Sequence, residues 1–293
     1  MKIATWLGAA VVAALLAGPA LAAAPAAPPA PPTAPMKIGD AYAKKLAVMP
    51  NMTGVWNFTR GLLFDPDNAV NVVDPAGPDG GFGFGPQGGT YLKNIPYKPE
   101  YQKIYDDTVA KAKQGIVNDP VGDCFAPHGM PREMGGAPGP IEIIVTPTQV
   151  WMIWDWFNAT RRIYLDGRPH PSGDDLWATS MGHSIGKWQG DVLAVDTIGM
   201  FPGIFDRTGA PHSDKLHMTE TMRLVDGDTI EVQMTFDDPV AFTRPWKITR
   251  ILKRRPPNPV QLMGSYCEGG NRNGIVNGAQ TAVLATDTVP GVK

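Results

Sequence analysis

From residue 141 onward the chain alternates apolar and polar positions with a period of two, interrupted at short intervals by Gly, Pro, Asn and Asp. A period of two is the signature of strands with one buried face. It predicts strands over 142–145, 149–157, 161–165, 179–188, 192–197, 216–225, 229–236, 246–253 and 260–266. Thr146-Pro147-Thr148, Asp166-Gly167 and Gln189-Gly190-Asp191 supply turns, and Asp226-Gly227-Asp228 marks the clearest hairpin. Upstream, 52–58 reads as a first strand, and 40–48 as a short helix capped by Asp40. A second helix is predicted over 99–115, with Pro99 at its start and Gly115 at its end. Residues 74–89, rich in Gly, Pro and Asp, read as a loop. The expected fold is mainly β: an antiparallel meander closing into a barrel or strongly curved sheet, with a helical N-terminal excursion.

The first residues follow a different pattern. Lys2 precedes an apolar run from Ile3 to Leu16, and Ala20-Leu21-Ala22 is a small-x-small site. That is the pattern of a cleaved secretory leader, and the run is too short for a comfortable transmembrane helix. The expected organisation is a signal peptide at 1–22, an Ala/Pro linker at 23–35 and one β-rich domain at 36–293. The protein is therefore expected to be periplasmic or secreted, with no transmembrane segment.

The chain carries a formal charge of −2, which becomes −3 once Lys2 leaves with the leader. So small a charge gives no reason to expect nucleic acid as a partner. Its 33 Gly and 30 Pro argue against long helices. Cys124 and Cys267 are the only cysteines. In an oxidising compartment a disulfide between them is the first reading, worth roughly 4–5 kcal/mol by loop entropy. A nucleophilic Cys124, with His128 four residues on, is the rival.

Candidate chemistry comes from polar residues in costly places. Over 216–225, Leu216, Met218, Met222 and Leu224 share one face, and alternation puts Glu220 among them. A carboxylate there needs either a cavity or an arginine, such as Arg162, to hold it. His212 lies in the loop leading into that strand, and His183 in the Gly-rich stretch 182–186. With Asp206 these residues supply the His–carboxylate pairing that proton transfer uses. Arg162 would steady the carboxylate or a substrate oxyanion. Ser184 follows His183 immediately, and adjacent strand residues face opposite ways, which argues against a serine nucleophile. His217 and Glu220, three apart on a strand, also face opposite ways and make a poor metal pair, so no metal is expected. His128 and His170 fall in Pro-rich loops and read as exposed. Trp154 and Trp156 share a strand face with Met152, and Trp188 and Trp246 come from other strands. They are either core or the lining of a pocket for a flat apolar molecule.

Several spaced motifs occur together: Cys124-x-x-Pro127-x-Gly129-x-Pro131-Arg132, Arg161-Arg162-Ile163-Tyr164-x-Asp166-Gly167-Arg168 and Gly182-x-Ser184-x-Gly186-x-Trp188-x-Gly190-Asp191. Pro211-His212-Ser213, Asp237-Asp238-Pro239 and Thr243-x-Pro245-Trp246 accompany them. Together they resemble a family of exported, functionally unassigned bacterial β-rich proteins, which implies a shared architecture and no particular activity. Gly54-x-Trp56 before a meander is also similar to lipocalins.

Two pocket-based function classes remain open at this level, with a third that needs no pocket. One is a cofactor-independent lyase, isomerase or hydrolase using Glu220 and His212, then His183 and Asp206, on a small apolar or aromatic molecule. The other is a lipocalin-like carrier that binds such a molecule without chemistry. A surface-binding envelope protein is the third. No Walker A motif and no β/α alternation suggest a nucleotide cofactor, and oligomeric state is left open.

Overall fold

A computed structural model describes residues 39–58, 92, 94–114, 129–136, 140–155, 158–205, 209–256, 275–276 and 279–280. The leader, the Ala/Pro linker, the 74–89 loop, the 260–266 strand, Cys124, His128, Trp156, Asp206 and Cys267 lie outside the described residues.

Helix α1 (Asp40–Ala47) is capped by Gly39 and not by Asp40, which sits instead in the first turn, where its charge suits the helix N-terminus. Strand β1 (Gly54–Phe58) follows. Helix α2 (Pro99–Lys113) starts on Pro99 as the sequence predicts, and α3 (Arg132–Gly136) is a short helix after the cis Met130–Pro131 bond. Next come β2 (Ile141–Val145), β3 (Gln149–Trp154), β4 (Thr160–Tyr164), β5 (His183–Gln189) and β6 (Val192–Ile198). A small hairpin of β7 (Gly203–Ile204) and β8 (Pro211–His212) precedes the long strands β9 (His217–Asp226), β10 (Thr229–Asp237) and β11 (Trp246–Arg254). A last pair, β12 (Ile275–Val276) and β13 (Ala279–Gln280), stands apart from the main sheet.

Nine strands close into a barrel in the order β1-β11-β10-β9-β6-β5-β4-β3-β2. Closure is the expected outcome, but the strictly antiparallel meander is not. An odd ring cannot alternate direction all the way round, so one neighbouring pair must run parallel. That pair is β4 and β5, with Ile163 opposite Ser184 and Tyr164 opposite Ile185. A parallel pair needs a connection long enough to return along the barrel. Residues 165–182 supply it, crossing the outside with a single 3-10 turn at Gly173–Asp175. The predicted strand over 179–188 accordingly begins only at His183. Gly182 turns into it with φ +65°, a conformation that residues bearing a Cβ seldom adopt.

Side-chain alternation sets the two faces. In β9, Met218, Glu220 and Met222 are buried while Thr219, Thr221 and Arg223 are exposed. In β10 and β11 the inward residues are Ile230, Val232, Met234 and Phe236, then Trp246, Ile248, Arg250 and Leu252. Each such aliphatic side chain taken out of water contributes roughly 1.5–3 kcal/mol. The Asp226-Gly227-Asp228 hairpin forms as read: Asp226 accepts from the Asp228 N–H at 2.8 Å and from Thr229 Oγ1 at 2.9 Å.

The two ends of the barrel are closed differently. At one end Phe205 packs edge-on against Phe236 (4.9 Å between centroids) and Trp246 (5.1 Å). Asp238, fully buried, fixes the turn after β10 by accepting from the N–H groups of Ser213 (2.7 Å), Val240 and Ala241 (both 3.0 Å) and from Ser213 Oγ (2.7 Å). At the other end the Arg254 guanidinium lies 4.1 Å over the Trp56 ring. It donates to the carbonyls of Gly227 (2.9 Å), Thr53 (2.8 Å) and Asn51 (2.8 Å), tying the strand that opens the barrel to the strand that closes it.

Candidate functional site: a histidine–aspartate relay on the barrel wall

Glu220 is the carboxylate that alternation places inside, and it is inside, with no exposed side-chain surface. Its partner is Arg161 and not Arg162. Alternation along β4 turns Arg161 and Ile163 inward, whereas Arg162 faces out and its guanidinium lies 4.3 Å over Trp151. Arg161 Nη1 donates to Glu220 Oε1 at 3.1 Å, and Nη2 closes on Oε2. The remaining donors go to Ser184 Oγ (3.0 Å, from Nε), Thr197 Oγ1 (2.8 Å, from Nη2) and the Met152 sulfur (4.0 Å, from Nη1). Five N–H groups therefore meet five acceptors, and the buried pair is fully satisfied. The Glu220 carboxylate is thus held in a buried ion pair, with both oxygens bound by Arg161. Ser184, though in a Gly-x-Ser-x-Gly string, is a mid-strand residue 1 % exposed that serves the same network.

The residues grouped with Glu220 fall elsewhere. His212 sits in β8, buried, with Nδ1 3.0 Å from the Ser213 carbonyl and its ring edge-on to Phe205 at 5.3 Å. Burial pushes its pKa below the ordinary 6.5. None of these contacts is to Glu220. Trp154 and Trp246 have no accessible surface and belong to the core. Trp188 is half-buried against the same core. The close approach that Gly186 permits is used by the Ile163 and Leu165 side chains, which lie where its Cβ would be.

His183 has a different setting. It faces outward at the start of β5, its ring stacked on Tyr164 (5.4 Å, 24°). The β4–β5 connection folds over it and brings His170, whose Nδ1 lies 2.8 Å from His183 Nδ1. The other nitrogen of His170, Nε2, is 3.0 Å from Asp196 Oδ1, and that oxygen is 2.9 Å from His217 Nε2. Asp196 is an outward position of β6 and His217 the first residue of β9. The sequence reading missed three of these four. His170 reads as an exposed loop residue, yet its side chain is only 17 % exposed. Asp196 and His217 carry a readable signal: both sit on polar, outward positions near the same end of neighbouring strands.

Donor counting fixes the protons when all three rings are neutral. Asp196 can only accept, so His170 and His217 each donate from Nε2. His170 then has a lone pair on Nδ1, which receives the Nδ1–H of His183. What remains is a lone pair on His183 Nε2. Desolvation, with the nearby charges of His170 and Arg168, holds the His183 pKa below its ordinary value, which keeps that nitrogen available as a base.

Beside the relay, the outer wall forms a groove of about 820 Å³ lined by Tyr164, Arg168, Lys187, Asp196, Thr219 and Thr235, among others. That volume is in the range of small-molecule sites. Asp196 belongs to both groove and relay, and Tyr164, on which the His183 ring stacks, also lines the groove, whereas the three histidines adjoin it without lining it. Arg168 lies 4.0 Å over Tyr164 and is clasped by Asp166 (2.9 and 3.0 Å), fixing the groove's rim.

His170 offers its two nitrogens to different neighbours in divergent directions, so one ion could not collect all four side chains. Among the described residues no three His, Cys, Asp or Glu side chains are placed to hold a metal ion. No protein-family model matches the chain, and no curated protein matches it.

Proposed function

We propose that this protein is an acid–base enzyme, exported as its leader pattern indicates, in which His183 takes a proton from a small molecule held in the outer groove. The observation that carries this reading is the unbroken line His183–His170–Asp196–His217, with contacts of 2.8, 3.0 and 2.9 Å beside a groove of ligand size. A carboxylate that orients a histidine, which in turn orients the base, is the arrangement general base catalysis uses. As His183 Nε2 accepts the proton, its Nδ1–H can pass toward His170, and the resulting positive charge is shared with the Asp196 carboxylate. His217 meets the same Asp196 oxygen, Oδ1, at 2.9 Å and helps to hold it against His170. A lyase, isomerase or hydrolase step fits, since each needs a proton moved to or from carbon or oxygen and no redox partner.

The lipocalin-like carrier reading finds less support, because Trp154 and Trp246, two of the aromatics expected to line a pocket, have no accessible surface. The groove also differs from the pocket expected of those aromatics: no tryptophan lines it, and its walls mix Thr, Lys and Gln with Ile185, Ala194, Met234 and Ile248.

The test is an activity screen by mass spectrometry in D2O. The protein and His183→Asn are each incubated with a pool of small hydroxy and carbonyl compounds. Conversion or deuterium uptake that His183→Asn loses supports the assignment. Equal conversion by both proteins refutes it.

A further inference from the structure

Arg250 stands in contrast to Arg161. Both are inward residues of the barrel, and both are almost wholly buried, at 2 % and 1 % exposure. Arg161 has a carboxylate, two hydroxyls and a sulfur around it. Arg250, flanked along β11 by Ile248 and Leu252 and opposed on β10 by Val232, has no acceptor among the described residues. Its Nε is sealed from solvent without a hydrogen-bond partner. Among the described residues its guanidinium meets the Phe58 ring, 4.8 Å away.

Burial lowers the Arg250 pKa to about 9, which still leaves it charged at neutral pH. A buried cation without a counter-ion is costly, and a cation–π contact offsets only part of that cost. A Leu or Met would fill the same space at no such cost. A guanidinium retained in an apolar barrel layer is a receptor waiting for a planar anion, and a carboxylate matches its fork with two parallel hydrogen bonds. The apolar neighbours Val232, Ile248, Leu252 and Phe58 favour a carboxylate with an apolar body over a hydrated inorganic ion.

From this geometry we infer that Arg250 is the anchor of a second ligand site, inside the barrel and independent of the outer relay, which binds a small organic carboxylate with its apolar part against Phe58. The inference does not rest on the enzymatic reading.

Thermal unfolding of the full chain tests it, with sodium acetate, butyrate and octanoate compared against sodium chloride at equal sodium concentration. A ligand that binds only the folded state raises the melting temperature in a saturable way. The expected result is a rise of several degrees with at least one carboxylate beyond the chloride control, absent in Arg250→Met and reduced in Arg250→Lys. The lysine variant keeps the charge and loses the fork, so it remains informative if the methionine variant folds poorly. The same shift in the wild type and both variants would overturn the site. So would a wild type that responds to no carboxylate beyond chloride, whether Arg250→Met gains stability, marking an uncompensated charge, or loses it, marking an anion already supplied by the chain.

Discussion

Arg161 and Glu220 meet across the barrel interior as a fork on a fork, drawn from strands that are not neighbours in the sheet. The pair binds β4 to β9 through the lumen, over the heads of β5 and β6, which contribute Ser184 and Thr197 to the same cluster. Removing one partner leaves the other charged and dry. Glu220→Gln should therefore lower unfolding free energy by roughly 3–5 kcal/mol, read as a drop in the urea midpoint. Replacing both residues with Met should cost much less, because no orphan charge remains. A single variant as stable as the wild type would show that the pair contributes nothing to the fold.

The relay makes the opposite prediction for its members, which are partly exposed. His183→Asn should reduce turnover of an identified substrate by about 10²–10⁴-fold while leaving the unfolding midpoint nearly unchanged. Asp196→Asn should act in the same direction through His170, because the amide can donate to His170 Nε2 and force the ring into the wrong tautomer. Steady-state kinetics with urea melts on the same preparations separates the two effects. Coincident losses of activity and stability would mean that the cluster is structural.

Acid should weaken the fold through two histidines. His183 and His212 both have pKa values lowered in the folded state, by burial first of all, so the unfolded chain binds their protons more readily. Their contribution is fully present above the ordinary value of 6.5 and declines as pH falls below it, toward each folded pKa. Urea midpoints measured from pH 8 down to pH 4 should show this decline, and His212→Gln should flatten part of it. An unchanged pH slope in that variant would remove His212 from the account.

Chelation should leave the relay intact. The ring C–H resonances of His170, His183 and His217 should be unaltered by EDTA, and any activity should survive dialysis against it. Metal-dependent broadening of those signals would require the four side chains to regroup around an ion.

Arg254 makes a structural prediction of its own. Arg254→Ala removes three hydrogen bonds to carbonyls and the cover over Trp56, a loss of roughly 1–3 kcal/mol. Trp56 fluorescence should shift to the red in the native state if water then reaches the ring.

Much of this was legible in the residues. Strict alternation in 216–225 and 229–236 gave strands, faces and a hairpin, because a half-buried strand leaves a period that little else imitates. It also put Glu220 inside and His217 outside, and both positions hold. The error at Arg161 and Arg162 was one of register. The same alternation applied to 160–164 points Arg161 inward with Ile163, but a doublet of arginines offers no local reason to choose. The parallel seam was not legible either, since no turn signal tells how many strands will share a ring. His170 escaped for the same cause: its neighbours come from β5 and β6, brought near only by the course of residues 165–182. Single-strand patterns say which way a side chain points. They are silent on what a long connection will carry back over it.

That connection exists because nine strands cannot close without one parallel pair, and it divides the molecule into a load-carrying frame and a detachable crosspiece. The ladder hydrogen bonds of β4 and β5 do not depend on the turn at Gly173–Asp175, whose residues lie exposed on the outer surface. A chain cut there by a protease would sever the crosspiece while every barrel strand kept its neighbours. The nicked protein would melt as one body, yet His170 would hang from a free end, and the reach from Asp196 to His183 would depend on how tightly that end stayed folded against the wall.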